Sequence, residues 1–418
     1  MRNLLQRIGV LLSLSLIVWL LGGCESAPTP PSPPRAPTLL ATIPIKAFDV
    51  PARVAVNRHT NLVYITLSTH VAVFKETKQL ATINTGHKWA VGIAIDEKKD
   101  WVYVTNTYSD TVSVIRGTEL ITNVATLGRD TAGVVVDPTS QRAYVLSSYP
   151  KREPNAPGLE SSILILEGPK VVAHLKFGQI ILTHIIADPV NGYIYAGGAR
   201  GVVRVIKDAR EVARFEGAPS YDAPASVRSM DVNLKTGEVY VLDGFNNIRK
   251  FKEEKLLDTI KLNEQRAGVF EFLHLHPSNG YFYLTKGSRE VLVFKDDWQE
   301  IAKLPTGQVS VHTAIDPFTG NVYVANFYDG TVSVFNGVKP LGKLETDWHP
   351  ARIGINPNNG MVYVVNTGDE TISIFGYLPQ NSTPATSISG YPPPNYTPPA
   401  PTKTPTAPTR APTQRPYP

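Results

Sequence analysis

Short runs of alternating apolar and polar residues fill most of this chain, and they return in a fixed order. Tyr103-Val104-Thr105-Asn106 reads as a strand of β-branched and aromatic residues, Thr107–Asp110 as a polar turn, and Thr111-Val112-Ser113-Val114-Ile115 as a second strand. The pattern recurs at Tyr323–Asn326 with Thr331–Phe335, and at Tyr363–Asn366 with Thr371–Phe375. A tyrosine in the second strand of each unit marks the repeat: Tyr64, Tyr103, Tyr144, Tyr195, Tyr240, Tyr283, Tyr323 and Tyr363. Intervals of roughly 40 to 50 residues, each holding four short strands, predict the blades of a propeller.

Each unit opens on an apolar strand such as Gly92-Ile93-Ala94-Ile95-Asp96, and a strand near Val124-Ala125-Thr126-Leu127 closes it. Asp96, Asp137, Asp188, Asp316 and Asn356 fall at the first hairpin turn, where an Asx side chain bonds its own backbone. Because they recur once per unit, turn chemistry explains them better than a shared metal does. The eighth unit lacks a fourth strand, and Leu39–Ile43 is a strand with no unit ahead of it. Joining the two closes the ring and removes an open sheet edge. The predicted fold is all-β: an eight-bladed β-propeller over residues 39–378, with seven blades as the alternative.

The flanking segments differ in composition. Arg2 and Arg7 precede an apolar run from Ile8 to Leu21, the pattern of an export signal over residues 1–23. Leu21-Gly22-Gly23-Cys24 resembles a bacterial lipobox, which implies lipidation of Cys24 and anchoring to the cell membrane on its extracytoplasmic side. Cys24 is the only cysteine, so no internal disulfide is available. Residues 24–38 are Pro-rich and predict a stiff stalk rising about 3.1 Å per residue. Residues 379–418 alternate Pro and Thr with few large apolar side chains, a composition expected to stay solvated. The net charge of +5 is carried by Arg2, Arg7, Lys403, Arg410 and Arg415, leaving the repeat region close to neutral. A nucleic-acid partner needs a concentrated basic face, which the repeats do not supply.

In their tyrosine, turn Asx and Thr-Val-Ser-Val positions the repeats resemble the YVTN-repeat β-propellers, whose tetrapeptide stands intact at Tyr103–Asn106. The resemblance implies an exported or surface-associated protein that is mostly non-catalytic. That family commonly has seven blades, and eight departs from it.

In an up-and-down meander, the second-to-third and fourth-to-first strand loops share one end of the ring, here called the top. The first inner-strand position at that end reads Arg53, Gly92, Gly133, His184, Ser229, Phe272, His312 and Arg352 around the ring. Closure makes His312, Arg352 and Arg53 neighbours, a basic arc suited to a carboxylate or phosphate. Two residues deeper the occupants are small (Ala55, Ala94, Ala314, Gly354), except for Asp231 and His274, which are expected to pair with one another. An acid–base role for that pair is the alternative. Trp89 and Trp348 belong to the top, where aromatics suit a sugar or peptide. The long insertion Ser148–Ser161, with Lys151, Arg152 and Glu153, also lies there. A lactonase-type metal site needs several ligands converging on the axis, and only Asp231, with Glu271 nearby, qualifies. No cofactor, metal or catalytic set is expected. The predicted role is a monomeric binding or scaffolding module for a protein, peptide or glycan, with a propeller hydrolase or lyase as the alternative.

Overall fold

Each repeat folds as a four-stranded antiparallel meander because its turns leave the chain little choice. At the first hairpin the Asx side chain accepts backbone N–H groups two and three residues on. Asp188 Oδ1 takes Val190 N–H (2.9 Å) and Asn191 N–H (3.2 Å), and Asn57 Oδ1 takes His59 (2.9 Å) and Thr60 (3.2 Å). In blade 6, His276 does the same through Nδ1, at 3.2 Å to Ser278 N–H. Four residues after each of these positions the backbone is left-handed. Gly192, Gly237, Gly280, Gly320 and Gly360 fill five of those places, with φ between +68° and +73°.

The computed structural model describes residues 35–377 apart from 46–52, 87–88, 127, 151–160, 218–225, 263–271, 286 and 318. These form 32 strands in eight four-stranded sheets, an eight-bladed β-propeller, so the seven-blade alternative is excluded. The inner strands are Val54–Asn57, Ala90–Asp96, Gly128–Asp137, Leu182–Ala187, Val227–Val232, Phe272–Leu275, Ser310–Ile315 and Pro350–Ile355, numbered here as blades 1 to 8. Each touches the next, and the strand of blade 8 touches that of blade 1. The fourth strand of blade 2 is Glu119–Ala125, earlier than the sequence suggested. Its alternately exposed side chains belong to an outer edge, where the apolar signal is weakest.

Closure follows the expected route. Thr38–Pro44 pairs antiparallel with Thr371–Gly376 and completes blade 8, and Ile45 N–H then bonds the Glu370 carbonyl at 2.7 Å. The fold has eight apolar cores, one between each pair of neighbouring blades, and each holds one repeat tyrosine. The hydroxyls of Tyr64, Tyr103, Tyr195, Tyr283 and Tyr363 reach the outer turn of the following blade, whereas that of Tyr240 donates to Glu238 in its own blade. Tyr64 donates to Gly117 O (3.0 Å), Tyr195 to Glu253 O (2.7 Å), Tyr283 to Gly337 O (3.1 Å) and Tyr363 to Glu76 O (3.0 Å). Blade 8 has no such turn, because its fourth strand comes from the other end of the chain. There Tyr323 meets the Tyr377 hydroxyl instead, at 3.1 Å.

The Asn of the repeat ties two strands together. Asn106 Nδ2 donates to Thr111 Oγ1 (3.0 Å) and Ser113 Oγ (2.9 Å), and Asn326 and Asn366 do the same with Thr331 and Ser333, and with Thr371 and Ser373. All three asparagines are fully buried, where an amide requires partners. This bond explains why Asn in the second strand travels with Thr-x-Ser in the third.

Candidate functional site

The inner strands share a β-bulge at the top. In blades 2, 3, 4, 5, 7 and 8 their pairing with the second strand slips just before or at the first inner position. In blade 5 Val227 faces Asp243 and Ser229 faces Leu242, so Arg228 has no opposite residue. A bulge turns adjacent side chains to one side where a regular strand would alternate them. Thr183 and His184 therefore both reach the axis in blade 4, as do Arg228 and Ser229 in blade 5.

These residues enclose an axial cavity of about 310 Å³ with wall residues from all eight blades. Arg53 and Arg352 come from blades 1 and 8, His184 and Arg228 from blades 4 and 5, and His274 and His312 from blades 6 and 7. Blades 2 and 3 contribute Gly92 and Gly133, which carry no side chain, together with the apolar Ile93 and Val134. A Cβ at Gly92 would lie 2.7 Å from Thr105 Oγ1, and that hydroxyl accepts the Gly92 N–H at 2.8 Å. Thr66 holds Arg53 N–H in the same way, also at 2.8 Å. A backbone bond thus fixes the strand entry that carries Arg53.

The cavity is cationic. Among the described residues no carboxylate lines the wall and none of its three arginines forms an ion pair. Arg352 Nη1 donates to the Ala351 carbonyl at 2.9 Å, while its buried Nε has no partner. Burial and the neighbouring Arg53 push the Arg352 pKa down to about 10, so it remains charged at neutral pH. Arg53 keeps contact with water, yet enough protein surrounds it for burial to lower its pKa too.

The histidines respond in the opposite sense. Burial pushes His274 down to about 4. It does the same to His184, with the charges of Arg53 and Arg228 adding to the effect. His312 falls well below its usual value, first through burial and then through Arg352, His274 and Arg53. All three are neutral at pH 7. His312 Nδ1 accepts the Ile353 N–H at 3.3 Å, so its proton sits on Nε2, and it can donate without being charged. His274 Nε2 is buried without a partner.

Asp231 and His274 are not hydrogen-bonded to each other. The carboxylate takes the Leu275 N–H at 2.7 Å and the Val232 N–H at 2.8 Å, bridging blades 5 and 6. Alternation identifies the face a side chain occupies but not its partner, and an inner strand has unpaired backbone N–H groups on its free edge. Burial pushes Asp231 up to about 6, against the effect of those two bonds. The His274 ring stands instead against His312.

The tryptophans lie outside the cavity wall. Trp89 packs edge-on against Tyr108, with ring centroids 5.3 Å apart. Trp348 is 49% exposed and leans on His349, which stacks on Phe327 at 4.4 Å. Residues 151–160 of the insertion, Cys24 and the Pro/Thr-rich tail fall outside the described residues. Among the described residues no three His, Cys, Asp or Glu side chains gather closely enough to hold a metal.

Sequence reasoning missed Arg228. Regular alternation turns it away from the axis once Ser229 is placed there, and only the strand pairing reveals the bulge. Neither a comparison with known protein-family models nor one with curated proteins finds a match to this chain.

Proposed function

We propose that this protein is a binding module that takes an anionic group into its axial cavity while the loops of the top face contact the rest of the ligand. An eight-bladed β-propeller supports binding or scaffolding in general. The observation that carries the anionic reading is the wall itself, with three arginines and, among the described residues, no carboxylate around about 310 Å³. Arg53 and Arg352 repel one another across this space, and an anion between them would offset that repulsion.

The same reading makes the protein an exported lipoprotein of the YVTN-repeat kind, anchored through Cys24 and displayed outside the cytoplasm. The support is Leu21-Gly22-Gly23-Cys24 behind an apolar run, together with the repeat register. The partner is a protein, peptide or glycan that presents a carboxylate or phosphate.

A thermal-shift panel at constant ionic strength tests the anionic reading. Phosphate and short carboxylates should raise the melting temperature, because binding to the folded state alone stabilises it. Neutral sugars and organic amines should leave it unchanged. Stabilisation by neutral sugars and not by anions would overturn the reading.

A further inference from the structure

The cations are distributed around the axis in a way that describes the shape of the ligand. The inner strands touch in ring order, so in a ring of eight blade 1 faces blade 5 and blade 8 faces blade 4. Arg53 and Arg352 therefore form one cationic sector, and Arg228, with the neutral His184 ring beside it, stands across the axis from it. Between the two sectors, on one side, blades 2 and 3 present Gly92 and Gly133 with the apolar Ile93 and Val134 and no charged group. On the other side stand His274 and His312, whose neutral rings can donate hydrogen bonds. A site for a single anionic group needs cations on one side only.

We propose that the axial cavity binds a short dianion end to end, one anionic group on Arg53 and Arg352 and the other on Arg228 and His184. This rests on the anionic reading above and adds the number and placement of the charges. Apolar wall residues, among them Ile93, Val134, Ile185 and Met230, contact the spacer between the two ends. The cavity lies near the lower limit of ligand pockets, roughly 300–1,000 Å³, which fits two anionic groups joined by a spacer of a few carbons, free or at the end of a larger ligand. The simplest members of the class are α,ω-dicarboxylates of about four to six carbons. Disulfonates of the same length share the chemistry.

Isothermal titration of the full chain with matched pairs tests the proposal. One series compares succinate, glutarate and adipate with butyrate, and a second compares propane-1,3-disulfonate with propanesulfonate. In at least one series the best dianion should bind roughly tenfold or more tightly than its monoanion. Arg228→Gln should bring that dianion down to the level of the monoanion, and Arg53→Gln should do the same from the other side. The wild-type comparison needs no variant, so it stands even if a substitution prevents folding. Equal affinities for mono- and dianions in both series would overturn the two-ended site and leave the anionic reading in place. Absence of binding by every anion in both series would overturn the two together.

Discussion

The imidazole rings of His274 and His312, on the inner strands of adjacent blades, stand edge to face with their centroids 6.3 Å apart. Arg352 and Arg53 face the pair from blades 8 and 1, and His184 and Arg228 stand across the cavity in blades 4 and 5. Burial keeps both rings neutral, with Arg352 and Arg53 adding to the effect at His312.

Stability should therefore rise with pH between about 4 and 6.5. Over that interval the unfolded chain protonates His184, His274 and His312, while the folded chain does not. Each contributes a slope of at most about 1.4 kcal/mol per pH unit. Asp231 acts in the other direction, because it keeps its proton up to about 6 when folded and loses it near 3.8 when unfolded. Three histidines outweigh one carboxyl. Urea melts at pH 4.5 and 7 should give the higher midpoint at pH 7, and His312→Gln should reduce the difference.

Arg352→Gln removes a charge that repels Arg53. In the absence of ligand it should raise stability by about 1 kcal/mol, the scale of relieving an uncompensated buried charge. In the presence of a stabilising anion it should reduce the ligand-induced shift. Thermal melts of both proteins with and without phosphate measure the two effects together. A variant that is less stable without ligand would mean that the arginine holds the fold.

The ring closes through seven N-terminal residues and a hydroxyl. Deleting Thr38–Pro44 exposes the edge of Thr371–Gly376, and the shortened protein should melt markedly lower and associate through that edge. Tyr363→Phe removes only the bond to the Glu76 carbonyl across the blade 8–blade 1 seam and should cost about 1 kcal/mol. Calorimetry and light scattering read both.

Cys24→Ala should move the protein from the membrane to the soluble fraction, since no other cysteine is present to take a lipid. Cell fractionation with immunoblotting checks this, and unchanged membrane retention would remove the anchor from the account.

The repeat was legible because it is periodic. Tyr64 to Tyr363 set the blade count, and the unmatched strand at Leu39 set the closure. The shared ring position of Arg53, His312 and Arg352 was legible for the same reason, as a departure from the small residues of blades 2, 3 and 5, but the burial that leaves His312 neutral was not. Arg228 was hidden because a bulge breaks the period-2 rule on which the reading depended. The partners of Asp231 were hidden because they are backbone N–H groups, which every residue type except proline supplies. The charge that Arg228 places across the axis from Arg53 and Arg352 appears only once pairing is known.

The central claim is that the axial cavity is where this protein holds an anion. Its most direct test is titration of propane-1,3-disulfonate, whose charge is constant across neutral and mildly acidic pH, into the wild type and an Arg53→Gln/Arg352→Gln variant. The account predicts saturable binding to the wild type that strengthens as pH falls from 7 towards 5, because bound anion favours protonated His184, His274 and His312. It predicts a loss of roughly a hundredfold in the double variant. Equal binding to both proteins, or binding to neither, would contradict it.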